Sequence, residues 1–133
     1  MSWQAYVDNN LVGTKKVTHA AILGKAGGVW AKSAGFTIST EEQKAIIAAF
    51  TNKEKVQASG FRVADQKYFF VSSDTYADDP NLIVVQGKKG GDGAVLAQTK
   101  QAVLVATYVL PQTAQEAGMT VTGVGSYLAG QGY

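Results

Sequence analysis

The sequence of 133 residues has 46% hydrophobic and 17% charged side chains, a formal net charge of +2 and no cysteine. That length and composition predict a single globular domain over residues 1–133, and they exclude a disulfide framework and thiolate metal sites. The small net charge argues against nucleic-acid binding as a main role, because such proteins neutralise many phosphates.

The first third of the chain predicts a helix followed by a β-hairpin. Residues 3–11 carry large apolar side chains at spacings of three and four, with Ser2 as N-cap and Gly13 as the stop. Two short apolar runs, 20–23 and 29–31, flank a Gly-rich turn, which is typical of a hairpin.

The middle of the chain changes from helical to strand periodicity. The sequence Ser-Thr-Glu-Glu at 39–42 is a capping box, and an apolar stripe up to Phe50 predicts the helix that follows it. From Gly60 onward, 61–63, 68–71 and 82–85 read as strands, separated by turns at 65–67 and 78–81. Residues 87–93 predict a further turn, which precedes a strand at 94–97.

The last third predicts the central strand of the sheet and a closing helix. Residues 102–110 are nearly all apolar, as in a strand buried on both faces, and Pro111 stops them. A second capping box at 113–116 opens a helix whose apolar stripe is Ala117, Val121, Val124 and Leu128. Three glycines at 118, 123 and 125 weaken that helix by about 1 kcal/mol each, so packing must hold it in place. The element order predicts an α+β domain with an antiparallel sheet.

The sequence gives little support to an enzyme. His19 is the only histidine and is expected to be structural or solvated, so neither a multi-His nor a Cys/His metal site is available. The chain lacks a Gly-x-Ser-x-Gly elbow and a phosphate-binding loop. The carboxylates of Asp74, Asp78 and Asp79 do not have the spacing of an EF-hand and are expected to belong to a turn. We therefore predict no catalytic residues, no metal and no cofactor.

The aromatic residues are the strongest functional signal. Trp3 and Tyr6 open the sequence, Tyr127 and Tyr133 close it, and Trp30 follows the first apolar run. Chain ends usually fray and bury little, so large rings at both ends suggest that the ends pack together and present those rings. The ligand that suits a shallow aromatic groove is a polyproline II helix. The alternative is that the rings only join the two terminal helices.

Four motifs, in order along the whole chain, resemble those of the profilin family. They are Ser-Trp-Gln-Ala-Tyr-Val-Asp at 2–8, Ala-Ala-Ile-Leu-Gly at 20–24, Gly-Lys-Lys-Gly at 87–90 and Tyr-Leu-x-x-Gln-Gly-Tyr at 127–133. The resemblance implies a central antiparallel sheet of six or seven strands, with the N- and C-terminal helices on one face and smaller helices on the other. It also implies a monomeric, non-catalytic protein of the cytoplasm, cytoskeleton and cell cortex.

The same resemblance implies three kinds of partner and a set of residues for each. Proline-rich segments of actin-assembly factors would bind Trp3, Tyr6, Asn9, Trp30, Tyr127 and Tyr133. Monomeric actin would bind Lys67, Phe69, Ser72, Gln86, Lys88, Thr113, Gly118 and Met119. Phosphoinositide lipids would bind Lys25, Lys88 and Lys89, although solvated surface is an equally good interpretation of those lysines.

The sequence departs from the family pattern on the expected actin surface. Ser72 and Gln86 stand where many relatives have arginine, and Gly118 and Gly123 replace polar or charged side chains. Loss of charge assistance lowers the association rate and some affinity, which predicts weaker actin binding. One alternative is therefore a polyproline-binding adaptor with weak or lost actin affinity. A separate alternative is a small-molecule sensor, which would need an internal cavity.

Overall fold

Seven antiparallel strands form one sheet that carries helices on both faces. The computed structural model describes residues 3–51, 53–76 and 79–133. The strands are β1 (His19–Gly24), β2 (Val29–Lys32), β3 (Phe61–Val63), β4 (Gln66–Tyr76), β5 (Asp79–Lys89), β6 (Asp92–Gln98) and β7 (Ala102–Tyr108). Their order across the sheet is β2-β1-β7-β6-β5-β4-β3. Strand β7 therefore joins the N-terminal hairpin to a four-stranded meander, and the prediction of an antiparallel α+β domain is confirmed.

Strand β7 is central because its residues suit burial on both faces. All seven of its residues are buried, and it pairs with β1 on one side and β6 on the other. Alternate side chains reach opposite faces of the sheet, so Leu104 packs in one hydrophobic cluster and Val103 and Val105 in the other. The predicted central position of 102–110 is confirmed, although the strand ends at Tyr108, before Pro111.

The N-terminal helical segment consists of three consecutive turns of different pitch. They are α1 (Trp3–Ala5), a π-helical turn (Tyr6–Leu11) and a 3-10 turn (Val12–Thr14). The prediction that Gly13 ends the helix was wrong, because Gly13 lies inside the 3-10 turn and Lys15 takes the left-handed conformation with φ 63°. Gly13 is needed for close approach instead: a Cβ there would lie 2.5 Å from the Asp8 carbonyl oxygen. The expected N-cap, Ser2, is outside the described residues.

Two short helices cover the opposite face. They are α2 (Thr40–Ala48) and α3 (Lys53–Ser59). The capping box that begins α2 is confirmed: the Glu42 amide donates to Ser39 Oγ at 3.1 Å, and the Ser39 amide donates to Glu42 Oε1 at 3.0 Å. The sequence did not predict α3, because Val56 is the one buried hydrophobic residue on it and a single position makes no apolar stripe.

The turns of the meander are tighter than predicted. Lys89 pairs with Asp92, so the turn expected at 87–93 shrinks to Gly90 and Gly91. Gly90 has φ 62°, which a glycine adopts without strain. Strand β4 begins at Gln66, inside the turn expected at 65–67, and β5 begins at Asp79, inside the turn expected at 78–81. Asp78 itself is outside the described residues.

Helix α4 (Ala114–Gly130) packs beside the N-terminal helical segment on one face of the sheet. The Glu116 amide donates to the Thr113 hydroxyl at 3.2 Å, which confirms Thr113 as the N-cap but gives only one half of the predicted capping box. The Glu116 carboxylate pairs with Lys16 at 2.9 Å, so it also ties the helix to the chain that follows the N-terminal segment. All four residues of the predicted apolar stripe, from Ala117 to Leu128, are buried.

The glycines of α4 differ in what surrounds them, which predicts opposite effects of substitution. A Cβ at Gly125 would lie 3.0 Å from Leu82 Cδ1, whereas a Cβ at Gly123 has open space around it. We expect Gly123→Ala to raise the free energy of unfolding by about 0.5–1 kcal/mol, through helix propensity. Gly125→Val should lower it by about 1–3 kcal/mol through overpacking. Urea unfolding followed by circular dichroism measures both, and equal effects at the two positions would contradict the described packing.

Candidate functional site

Five aromatic rings from the two ends of the chain and from β2 form one continuous surface, which we call the aromatic shelf. Trp3 lies at its centre, with ring centroids 4.7 Å from Trp30, 5.8 Å from Tyr6 and 4.9 Å from Tyr133. Tyr127 continues the row, 6.0 Å from Tyr6. The structure therefore brings together all five rings that the sequence singles out.

The shelf is open to solvent although its supports are buried. Tyr127 is 54% exposed, Tyr133 42% and Trp30 37%, while Trp3 and Tyr6 are half-buried at their bases. Directly beneath, Val7 and Leu128 are fully buried in the core cluster that these two half-buried rings pack against. Helical spacing puts the apolar anchors and the rings on neighbouring faces of their helices, so that burial of the anchors holds the rings at the surface.

The end of the sequence is attached to the β6–β7 turn by a set of hydrogen bonds. The Tyr133 carbonyl accepts from the Thr99 hydroxyl at 2.8 Å and from the Gln101 amide, and the Gln101 side chain donates to the Gly132 carbonyl at 3.0 Å. Thr99 is fully buried, so its hydroxyl must be paired there. This attachment fixes Tyr133 at the edge of Trp3 and leaves it little freedom to fray.

Trp30 is positioned by Gly24, the last residue of β1. A Cβ at Gly24 would lie 2.6 Å from Trp30 Nε1, so only glycine lets the indole pack this closely onto the end of the strand. On the other side, the Gln4 side chain donates to the Lys32 carbonyl at 2.7 Å and joins the N-terminal segment to β2. Together these contacts hold the two indoles close to each other.

The hydroxyl of Tyr6 stays protonated within the shelf. Desolvation raises the pKa of Tyr6, and a side-chain hydrogen bond with Tyr127 and the charges that Tyr127 and Tyr133 would carry raise it further. A tyrosine ordinarily ionises near pH 10, so a raised pKa keeps the Tyr6 hydroxyl neutral throughout the physiological range. The shelf can thus offer flat apolar faces together with hydroxyl donors.

The shelf continues into a cavity that the sequence did not predict. This cavity of about 380 Å³ lies between the π-helical turn and α4 and is lined by Tyr6, Asn10, Thr14, Met119, Thr120, Gly123, Val124 and Tyr127. The expected polar neighbour, Asn9, is exposed. Asn10 lines the cavity, and Asn9 is not among the lining residues. A π-helical turn changes the rotation per residue, and an expectation based on α-helical period cannot anticipate that.

A second candidate surface lies on the same sheet face, beyond the N-terminal end of α4. Phe69 of β4 is paired with Lys88 of β5, and Ser72 is paired with Gln86. Phe69 is 65% exposed, and Lys67 places its ammonium 5.6 Å from the centre of that ring. These five residues, all predicted for actin, therefore form one patch on adjacent strands.

Helix α4 borders this second surface, but its residues contribute unequally. Met119 is 69% exposed and Thr113 is exposed at the start of the helix. Gly118 is buried, because the Gln86 amide lies over it: a Cβ at Gly118 would be 3.0 Å from Gln86 Nε2. Of the predicted pair, Gln86 is therefore the side chain that a partner could reach.

The three lysines predicted for phosphoinositides do not form one patch. Lys25 follows Gly24, which pairs with Ala102 at the start of β7. Lys88 and Lys89 lie at the end of β5, whose neighbour β6 begins beside Tyr108 at the other end of β7. The sheet thus separates Lys25 from Lys88 and Lys89 by its full length. The Lys89 ammonium donates to Gln66 Oε1, which leaves Lys88 the more available of that pair.

Over the ranges 3–51, 53–76 and 79–133 we find no cluster of three potential metal ligands. His19 is half-buried, stacked on Phe36 with ring centroids 5.3 Å apart, and its Nδ1 lies 3.4 Å from Ser33 Oγ, as expected of a structural histidine. Within the same part of the chain, none of the helices has the length and hydropathy needed to cross a bilayer.

Comparison with known sequences gives one consistent result. The family model described as Profilin matches residues 1–133. The chain is 41% identical over 136 residues to Profilin-1A of Acanthamoeba castellanii and 38% identical over 133 residues to profilin of Bombyx mori. In both alignments the whole of each chain is covered.

Comparison of folds agrees with the comparison of sequences. The crystal structure of A. castellanii profilin II superposes with a TM-score of 0.90 at 38% identity, covering 99% of this chain and 100% of that one. Mouse profilin IIa, solved in complex with a double repeat from the FH1 domain of mDia1, superposes with a TM-score of 0.78 over the full length of both chains. At 21% sequence identity, the similarity to mouse profilin IIa is a similarity of fold alone.

Proposed function

The chain belongs to the profilin family of actin-binding regulators, and on that premise we propose that it binds proline-rich segments and monomeric actin on two separate surfaces. The same membership confirms the prediction that the chain is not an enzyme. The observation that carries the proposal is the aromatic shelf, five rings in contact and open to solvent. A purely structural joint between helices would bury those rings.

The shelf has the chemistry that a polyproline II helix requires. Pyrrolidine rings can lie flat on the indole and phenol faces, and the ligand's carbonyls need donors because polyproline II makes no internal hydrogen bonds. Phenol hydroxyl and indole N–H groups of the shelf can provide such donors. A related fold, mouse profilin IIa, has been solved with a proline-rich FH1 repeat, which supports the same class of ligand here.

For actin we propose the surface formed by Lys67, Phe69, Ser72, Gln86 and Lys88, with Thr113 and Met119 at its helical border. Its exposed apolar centre, Phe69, is flanked by lysine ammonium groups, a combination suited to a partner with apolar and acidic contacts. Along α4, Tyr127 lies nine positions beyond Gly118, about 13 Å of helix. That separation would allow a monomeric protein of the cytoplasm and cell cortex to carry actin to a proline-rich elongation factor.

The alternative of a polyproline-binding adaptor with weak actin affinity keeps one specific support. Ser72 and Gln86 leave the centre of the second surface without an arginine, and Gly118 gives it no side chain. By contrast, a small-molecule sensor gains little support, because the larger cavity beside the shelf is an open cleft and the more enclosed one, between α2, α3 and β3, measures about 80 Å³. Ligand pockets are usually several times larger, at about 300–1,000 Å³.

We also propose that anionic phosphoinositide head groups bind at Lys88 and Lys89, with Lys25 as a separate contact. Lys88 and Lys89 lie at the same end of the sheet with side chains on its two faces, so a membrane that meets this end can contact both, whereas Lys25 lies at the other end. Lysine is a flexible point charge, which suits weak and salt-sensitive contact with a membrane surface.

Substitution of the shelf should remove proline binding without removing the fold. We expect Trp3→Ala and Tyr127→Ala each to weaken binding of an octaproline peptide by about tenfold or more, as removal of an aromatic anchor usually does. Tyr127 is 54% exposed, so its variant should remain folded. Phe69→Ala is the matched control, expected to keep peptide affinity and lose actin affinity. Isothermal titration with both partners measures this, and unchanged peptide affinity in a folded Tyr127→Ala would contradict the shelf.

Restoring a positive charge on the second surface should strengthen actin binding. We expect Gln86→Arg to raise affinity for monomeric actin by about two- to tenfold at low salt, with a smaller gain at high salt. Gln57→Arg on α3 adds the same charge on the opposite face and should change nothing. The actin dissociation constant, measured from slowed polymerisation, checks both variants. Equal constants for Gln86→Arg and the unaltered protein would favour the adaptor.

Lipid binding can be assigned by charge reversal at the two ends of the sheet. We expect Lys88→Glu/Lys89→Glu to abolish cosedimentation with phosphoinositide-containing vesicles, because opposite charges replace the two adjacent cations. Lys25→Glu should retain at least half of that binding. If Lys25→Glu alone abolishes cosedimentation, the lipid site is at the other end of the sheet.

A further inference from the structure

The Trp30 end of the aromatic shelf opens directly onto a basic cavity. This cavity of about 440 Å³ is lined by Gly24, Lys25, Gly27, Trp30, Lys100 and Gln101. Trp30 thus forms part of two surfaces, the last ring of the shelf on one side and the wall of the cavity on the other. A chain that lies along the shelf and continues past Trp30 would enter this cavity.

The cavity is built from segments that are held in place. The Lys25 amide donates to the Gln101 carbonyl at 2.9 Å, which joins the β1–β2 turn to the β6–β7 turn. The Gln101 amide in turn donates to the Tyr133 carbonyl, which joins the second turn to the end of the shelf. Lys25 and Lys100 are therefore attached to backbone whose position relative to the aromatic rings is fixed.

The two lysines carry charges without a carboxylate partner in the described part of the chain. The ion pairs of Lys16 with Glu116 and of Arg62 with Asp65 lie elsewhere, and neither involves Lys25 or Lys100. All the residues that line the cavity are basic, neutral or glycine. A negatively charged group of a partner would here meet the ammonium groups of Lys25 and Lys100. No acidic side chain in the lining would repel it.

We propose that this cavity receives an acidic residue of the proline-rich ligand, so that the preferred partner has aspartate or glutamate immediately beyond its proline run. This inference rests on the proposed function of the shelf and names the sequence class that the shelf selects. The occupant is a peptide carboxylate, because the cavity is continuous with the shelf. A carboxylate on a chain already bound there acts at high effective concentration, whereas a free anion does not.

The length of the shelf fixes where that acidic residue should stand. Successive ring centroids from Trp30 through Trp3 and Tyr6 to Tyr127 are 4.7, 5.8 and 6.0 Å apart. A polyproline II helix advances about 3.1 Å per residue, so about five residues span the row at most. An acidic side chain one or two positions beyond those prolines would lie beside Lys25 and Lys100.

Peptides that differ only in charge test the proposal. The set is a run of about eight prolines followed or preceded by Asp-Asp, with matched Asn-Asn peptides as neutral controls. We expect at least one Asp-Asp peptide to bind about three- to tenfold more tightly than its Asn-Asn counterpart at low salt, and the gain to vanish at high salt. Fluorescence of Trp3 and Trp30 reports binding of all four.

Charge-reversal variants assign the gain to the cavity. Lys25→Glu/Lys100→Glu should abolish or invert the preference for Asp-Asp while keeping the Asn-Asn affinity. Lys15→Glu/Lys44→Glu has the same net charge, with both substitutions away from the cavity, and should keep the preference. Equal affinities of the Asp-Asp and Asn-Asn peptides for the unaltered protein overturn this inference and leave the shelf standing. Failure of the Asn-Asn peptides to bind overturns the shelf, and the inference with it.

Discussion

Contact between the first and last helical segments on one face of the sheet is the constraint on which the surface chemistry depends. Val7 and Leu11 from the N-terminal helical segment and Val121 and Leu128 from α4 are fully buried in the same cluster. Burial of side chains of this size contributes about 1.5–3 kcal/mol each, which is enough to hold two segments that are far apart in sequence. The aromatic shelf exists because the rings lie on the neighbouring faces of these same helices.

Hydrogen bonds to the Tyr133 carbonyl complete that arrangement. Apolar packing alone is not directional, so it cannot fix the angle at which Tyr133 meets Trp3. The paired carbonyl of Tyr133, held by the buried Thr99 hydroxyl and the Gln101 amide, provides that direction. The Gln101 carbonyl also accepts from the Lys25 amide, so one short turn positions both Tyr133 and the basic cavity beside the shelf.

Sequence periodicity predicted the features that depend on local preference or on a long apolar pattern. The capping box at Ser39 and the central strand β7 are of this kind. Helix α3 could not be predicted, because its stability comes from one buried valine and from the sheet beneath it. The position of Asn10 in the cavity lining was not predicted, since a π-helical turn changes the rotation per residue, and the role of Asn9 stays a prediction. The separation of Lys25 from Lys88 requires knowledge of strand order, which no local pattern contains.

The two proposed surfaces share α4, and the way this helix packs bears on whether they can act independently. Gly125 lies so close to the sheet that a Cβ there would be 3.0 Å from Leu82 and 3.5 Å from Leu104. Coupling between distant sites needs an element with two arrangements of similar free energy. A helix held this closely in its middle cannot move further towards the sheet without overlapping Leu82. Proline-rich ligand on the aromatic shelf and actin around Phe69 would therefore share one rigid support, so that binding at one leaves the affinity of the other nearly unchanged.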